Sequence, residues 1–363
     1  MIVTRVALKD FLSYPSEDVG FGGGLNVITG ENAAGKTNLV ESLYFASLGR
    51  SYRHSKDKEL IRWGAGNGAK VTVFVQKRYS KHRIDMYVDP QGRKSIMVDG
   101  LPLQRMGELM GVLNVVFFAP DEISLVKESP AYRRRFLDIS LCQQSKAYFY
   151  TLQRYNKLLA QRNTLLKTNK GRPSLPDMLE LVDGDFVRCA AFIIQERAKF
   201  VAKLAPYAAV KHSMLTSGKE ALRVSYETEE VSLDNTAADF AKRLKEALPK
   251  DSKLDYTTVG PHRDDIKLAA NDVDIRSFGS QGQQRSAVLS LKLAEIELFK
   301  EKTGETPVLL LDDVLSELDD TRKDALFSAL EGIQTMVTCT EFKYPLGKEY
   351  KKFIIKDRKV LTE

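Results

Sequence analysis

From Met1 to Asp10 apolar and polar residues alternate, which is the period of a half-buried strand. Leu25-Asn26-Val27-Ile28-Thr29 is a short apolar run of buried-strand type. A helix is expected from about Lys36 to Leu48, and further strands at Val71 to Val75, Arg83 to Val88 and Asn114 to Phe118, so the first third of the chain reads as sheet-rich. From about Ser129 the period lengthens. Tyr148, Leu152, Tyr155, Leu159 and Leu166 fall near one stripe at three- and four-residue spacing, the pattern of a helix burying one face. Gly171-Arg172-Pro173-Ser174-Leu175-Pro176 carries turn residues, and a second helical stretch from Pro176 to about Lys211 completes an antiparallel arm. An amphipathic segment at 235–249 precedes a return to strand near Thr257, helix from Gln281 to Lys300 and strand from Thr306 to Leu311. A strand is expected at Gln334 to Val337, and Phe353-Ile354-Ile355 in the charged C-terminal run is expected as an edge strand.

The first strand-to-helix junction carries chemistry. Gly30-Glu31-Asn32-Ala33-Ala34-Gly35-Lys36-Thr37 fits the P-loop pattern at every specified place. The glycines let backbone amides point at phosphate oxygens, the following helix adds the positive end of its dipole, Lys36 reaches the β and γ phosphates, and Thr37 ligates Mg²⁺. A second element should supply the metal carboxylate. Pro307-Val308-Leu309-Leu310-Leu311-Asp312-Asp313 is a buried-type parallel strand ending in two acids, where an α/β sheet presents ligand-facing residues. Asp312 is assigned to the metal, and Asp313, with Lys36, to catalysis, Asp313 orienting or deprotonating the attacking water.

Composition narrows the class without changing this picture. The 363 residues are 43% hydrophobic and 28% charged, ordinary globular values, with a formal charge of +7. No run approaches about 18 apolar residues, and the N-terminus lacks a signal peptide, so a cytoplasmic protein with no membrane partner is expected. Cys142, Cys189 and Cys339 are far apart and odd in number, which leaves them as core thiols.

Between the phosphate loop and the acidic strand lies Ser277-Phe278-Gly279-Ser280-Gln281-Gly282-Gln283-Gln284-Arg285. Ser280, Gln281, Gly282 and Gln283 resemble the signature loop of ABC-type ATPases, and Ser316-Glu317-Leu318-Asp319 resembles their D-loop. With Gly260-Pro261-His262-Arg263-Asp264-Asp265 and Ser129-Pro130-Ala131-Tyr132-Arg133-Arg134-Arg135-Phe136-Leu137-Asp138, the chain resembles the RecF family, recombination-mediator ATPases related to SMC heads. The resemblance runs from Met1 to about Thr340. It implies an α/β fold, an ABC-type head interrupted by a helical lobe: residues 1–122 and 251–363 for the head and 123–250 for the lobe. It implies ATP and Mg²⁺ as cofactors, slow and weak DNA-dependent ATP hydrolysis, and an ATP-dependent homodimer in which the signature loop closes on the nucleotide held by the other subunit. Single-strand/double-strand DNA junctions, RecR, RecO and RecA loading with SOS induction are the implied partners and task.

Several positions depart from the ABC pattern. The second acid is Asp313 where transporters carry Glu, Phe118-Ala119-Pro120-Asp121-Glu122 stands where a Q-loop is expected, and Thr340 is the available substitute for a missing switch histidine. Tyr14 is placed against the adenine or ribose, with burial as the alternative, and His262 is read as fixing a turn rather than as catalytic. A transporter's nucleotide-binding subunit and a non-hydrolysing ATP-binding scaffold are the rival readings. From Arg133 to Arg172 ten basic residues face the single acid Asp138. Arg133, Arg134, Arg135, Arg154, Lys157 and Arg162 are therefore candidate DNA contacts, with a solvated helix face as the alternative.

Overall fold

The N-terminal alternation becomes a ten-residue strand, β1 (Ile2–Phe11), and β2 (Tyr14–Gly20), β3 (Leu25–Gly30), α1 (Lys36–Leu48), β4 (Ala69–Gln76), β5 (Lys81–Val88), β6 (Lys94–Val98), β7 (Leu101–Pro102) and β8 (Val115–Phe118) follow. Next come α2 (Ser124–Lys127), α3 (Pro130–Gln144), α4 (Lys146–Thr168), α5 (Leu175–Leu215), β9 (Leu222–Glu227), α6 (Thr236–Leu254), β10 (Asp265–Ala270), β11 (Val273–Asp274) and α7 (Ile275–Phe278). The chain ends with α8 (Gln281–Thr303), β12 (Val308–Asp312), α9 (Asp320–Ala329), β13 (Thr335–Cys339), β14 (Tyr350–Lys356) and β15 (Lys359–Thr362). This computed structural model describes residues 1–228, 232–343 and 349–363. Two units divide the chain: Met1–Glu122, Ser213–Lys219 and Leu289–Glu363 in the first, Ile123–His212 and Glu220–Val288 in the second.

The first unit holds two six-stranded sheets, β2-β1-β4-β5-β6-β7 and β15-β14-β3-β13-β12-β8. The first is antiparallel throughout. In the second, β3, β8, β12, β13 and β14 run parallel. Of these, β8 and β12 as far as Leu311 are continuous apolar runs because both faces are covered, and Val308 to Leu311 are each no more than 1% exposed. Register aligns Thr29 with Cys339 and Asp312 with Thr338, so the P-loop and the acidic strand end emerge at the same edge. The C-terminal strand differs from its expectation. β14 is not an edge: it pairs with β3, buries Phe353 and Ile355, and leaves the edge to β15.

In the second unit, α4 and α5 form the expected antiparallel pair. Tyr155 stacks on Phe186 with ring centroids 4.9 Å apart, and Tyr148 meets Phe192 at 6.5 Å, partners running in opposite chain order. Tyr148, Tyr155 and Leu166 are the buried stripe, while Leu152 and Leu159 are half-buried. The helical pattern closes this lobe at residue 250, but the second unit extends to Val288. The reason is a three-stranded sheet, β11-β10-β9, whose central strand follows residue 250 and pairs with a strand that precedes it. No strand forms at Thr257. Its hydroxyl accepts from Arg162 at 2.8 Å, its own O–H and N–H groups being directed to Asn163 Oδ1 at 2.7 and 2.8 Å.

Candidate functional site

The P-loop needs glycine at both ends for steric reasons. At Gly30 φ is +151°, and a Cβ would approach the Ile355 carbonyl oxygen to 2.6 Å; at Gly35 φ is +116°, and a Cβ would meet Ser13 Oγ at 2.7 Å. Glu31, Asn32 and Ala33 are exposed and Ala34 is half-buried, so the loop's crest faces outward. Lys36 is buried beneath it and donates to the carbonyls of Gly30 and Glu31 at 2.7 and 2.8 Å. An ammonium held by loop carbonyls is placed to exchange them for phosphate oxygens while the first turn of α1 presents its amides.

Tyr14 does not face a base. It is fully buried, and its hydroxyl donates to the Gly35 carbonyl at 2.9 Å, bracing the loop from behind. Burial raises its pKa, so the phenol stays a donor.

Asp312 is the centre of the cluster. Its Oδ1 accepts from Thr37 Oγ1 at 3.0 Å and Thr338 Oγ1 at 2.6 Å, and its Oδ2 accepts from the Tyr52 hydroxyl at 3.2 Å. A hydroxyl on the P-loop helix beside a carboxylate on a neighbouring strand is a hard oxygen set, which suits a triphosphate with Mg²⁺. Thr338 Oγ1 in turn accepts from the Asp313 N–H at 2.9 Å. This bond and a φ of +53° turn Asp313 out of the strand, leaving its side chain exposed. Asp313 lines a cavity of about 300 Å³ with Ser316, Cys339 and Thr340. The hydroxyl that meets the acidic pair is thus Thr338, while Thr340 lies past the end of β13 on the cavity wall. Burial pushes the Cys339 thiol up to about 11, keeping it inert there. Where a Q-loop is expected, Asp121 is exposed and Glu122 instead pairs at 2.6 Å with Lys292. Lys292 is buried, which opposes its charge, yet Glu122 and Glu295 hold its pKa above the ordinary value.

Tyr52 is a site residue that no motif marks. Its ring packs on Phe117 and Tyr44, with centroids 4.3 and 5.4 Å away, and the Arg53 guanidinium carbon lies 5.5 Å from its centroid. Arg53 is fixed by buried Glu41 at 2.7 Å. Burial, and then the Asp312 carboxylate, push the Tyr52 phenol far up, so it only donates. Partners behind a metal ligand typically change metal affinity by 10–100-fold. Tyr52→Phe is therefore expected to raise the Mg²⁺ concentration for half-maximal nucleotide binding by about tenfold, leaving Mg²⁺-free binding unchanged. Titrating a fluorescent ATP analogue at varied Mg²⁺ checks this; an unmoved Mg²⁺ midpoint refutes it.

The signature-like loop belongs to the second unit, where it opens α8. Ser280 N donates to Gln283 Oε1 at 2.9 Å and Gln283 N to Ser280 Oγ at 3.2 Å, a reciprocal capping box. Ser280 and Gln281 are exposed, and Gly282 and Gln283 half-buried.

The arginine segment has another use. Arg133 is buried and grips Asp265 through Nε at 2.5 Å and Nη2 at 2.9 Å, and Arg134 Nη1 donates to the Asp264 carbonyl at 2.8 Å. Buried Arg197, which no sequence pattern marked, joins Asp138 at 2.8 Å to the Pro261 carbonyl at 2.6 Å. The two long motifs at 129–138 and 260–265 are thus complementary halves of one buried polar network. His262 is part of it: Nε2 donates to the Thr257 carbonyl at 3.1 Å, which leaves Nδ1 to accept from Tyr155 OH at 2.6 Å. Burial lowers its pKa to about 4, so it is a neutral structural bridge. Arg162 is also buried, between Asp183 at 2.9 Å and Asp251 at 2.7 Å. Neither Arg133 nor Arg162 is available to DNA. Arg154 is exposed but paired with Asp185, and Lys170 pairs with Asp255, so acids from α5 and from the end of α6 answer much of the arm's charge. Arg135 and Lys157 remain exposed.

Residues 2–349 match the RecF/RecN/SMC N terminal domain family. A DNA replication and repair protein RecF of Clostridium kluyveri is 42% identical over 364 residues, covering 99% of both chains. One of Clostridium botulinum (strain Alaska E43 / Type E3) is 42% identical over 340 residues, covering 94% of this chain and 93% of the relative. A solved structure of the recombination mediator protein RecF-ATP in the RecFOR pathway superposes with a TM-score of 0.91 at 36% identity, covering 99% of this chain and 97% of that one. An SMC head bound to the C-winged helix domain of ScpA shares the fold, with a TM-score of 0.60, 17% identity and coverage of 100% and 98%. The phosphate loop, the acidic strand end and the ABC-type head around them are those of an ATPase, and the chain belongs to the RecF family of DNA replication and repair proteins.

Proposed function

We propose that the chain is an ATP-dependent switch on DNA, in which two ATP molecules fasten two copies together and hydrolysis releases them. The observation that supports it is the pairing of a complete phosphate-and-carboxylate set, Lys36, Thr37, Asp312 and Asp313, with a capping box of exposed Ser280 and half-buried Gln283 that presents a helix N-terminus. Such a terminus suits the γ-phosphate of a nucleotide held by a second copy. Thr37 and Asp312 hold Mg²⁺, which supplies charge neutralisation at the phosphates. Lys36 gives up its carbonyl partners for phosphate oxygens, and Asp313 holds the attacking water. Its short side chain accords with weak, DNA-stimulated turnover. The task, following the family, is recognising single-strand/double-strand junctions and assisting RecR and RecO in loading RecA, with SOS induction as the consequence. Among the described residues no helix is long and apolar enough to cross a membrane, and a cytoplasmic location fits this role. Family membership sets aside the transporter-subunit reading.

Sedimentation with ATP tests the switch. Ser280→Arg should bind ATP yet stay monomeric, because the arginine fills the face the second nucleotide needs, and Asp313→Asn should give a dimer that persists. An ATP-dependent dimer of Ser280→Arg would defeat the sandwich, and an absence of phosphate release both with and without DNA would favour the non-hydrolysing scaffold.

A further inference from the structure

The outward face of the antiparallel sheet takes no part in the nucleotide site. Alternation buries Val6 and Leu8 of β1 and turns Arg5 and Lys9 out; β4 turns out Lys70, and β5 turns out Arg83 and Tyr87. Register sets two rows across the strands: Arg5 opposite Phe74 opposite Arg83, and Lys9 opposite Lys70 opposite Tyr87. In the first row the Phe74 ring sits between guanidinium carbons 5.2 and 5.9 Å from its centroid, and the arginines are also tied to Asp18 and Asp85. The second row is not compensated in this way. Lys9 has Lys70 on one side and Ser16 on the other, so no acid lies directly opposite it on either neighbouring strand. Lys70 comes only within 3.7 Å of Asp85, which already accepts from Thr72 and pairs with Arg83.

Like charges directly opposite on a sheet are destabilising. An exposed cation pair of this kind is relieved when an anion sits between the two ammonium groups. Beside it stands Tyr87, a residue that is 40% exposed. Ammonium groups for phosphates and an open aromatic face for a base are the chemistry of single-stranded nucleic acid, for which duplex offers no free base face. The two rows are four residues apart along β1, about 13 Å, so the platform extends beyond one nucleotide.

We propose that this sheet face binds single-stranded nucleic acid, with Lys9 and Lys70 on backbone phosphates and Tyr87 stacking a base. The inference rests on the DNA reading above and adds the surface that carries it. The test uses the full chain with labelled oligonucleotides, single-stranded and duplex, across a salt series. Lys9→Gln with Lys70→Gln should weaken single-strand binding about tenfold and flatten the salt slope by about 1.4, or roughly 0.7 for each phosphate that is no longer neutralised. Tyr87→Ala should weaken it by roughly five- to a hundredfold while changing duplex binding little. Tyr87→Phe, which removes only the hydroxyl's bond to the Asn67 carbonyl at 2.9 Å, should bind like the parent. All variants should hold a fluorescent ATP analogue normally, which reports an intact fold. Unchanged affinity and slope in the double variant, or equal losses for Tyr87→Phe and Tyr87→Ala, would overturn the proposal. A parent protein that bound neither nucleic acid would overturn the DNA reading itself.

Discussion

Lys36→Ala is expected to cost on the order of a hundredfold in ATP affinity, the worth of charge-assisted bonds between a buried ammonium and phosphate oxygens. The structure makes this test clean. Lys36 donates to two carbonyls of its own loop, so alanine removes the phosphate partner without stranding a buried acid. The loop itself keeps its shape, because Gly30 and Gly35 hold their backbone angles against Ile355, Ser13 and Tyr14. Equilibrium binding of a fluorescent ATP analogue reads the loss, and the melting temperature without nucleotide should stay near that of the parent. Retained affinity, or full turnover with DNA, would remove the P-loop from the site.

Local signals carry much of this site. A P-loop is contiguous because its loop and helix are successive in the chain, so Gly30 to Thr37 can be read directly, as can the run ending in Asp312. Tyr52 cannot: it meets Asp312 across 260 positions, and nothing in Ser51-Tyr52-Arg53 marks an aromatic ring as a carboxylate's partner. Thr338 is hidden behind Thr340 for a related reason, since which hydroxyl reaches Asp312 depends on the register of β12 against β13 and on where β13 stops. The second unit's limit is hidden because β9 and β10 are short strands separated by α6, and periodicity cannot show that they pair. Charge is the least legible property. A run of basic residues looks like a surface until the acids that answer it arrive from Asp183, Asp251 and Asp265, far along the chain.

Those distant acids decide how the arm has to be tested. Arg162→Ala is expected to destabilise the second unit by about 3–5 kcal/mol, the usual result of breaking a buried ion pair from one side. Asp251, fully buried, would keep Thr258, whose N–H and hydroxyl both donate to Oδ1, at 2.9 and 2.7 Å, but would have no cation against its charge. Asp183, whose carboxyl burial already holds above the ordinary range, would lose the guanidinium that opposes that rise. The melting transition should fall by roughly 10 °C. Arg154→Ala, which removes only an exposed pair with Asp185, should cost less than about 1 kcal/mol. Reversing Arg154, Lys157 and Arg162 together would therefore unfold the arm, and a loss of DNA affinity in that variant would not assign the arm a DNA contact. Arg135→Glu with Lys157→Glu avoids the buried network, and reduced DNA affinity at an unchanged melting temperature would assign the arm a share of the DNA surface. Thermal melts of the single variants come first: an Arg162→Ala protein as stable as Arg154→Ala would mean that the Arg162, Asp183 and Asp251 cluster contributes nothing net to the fold.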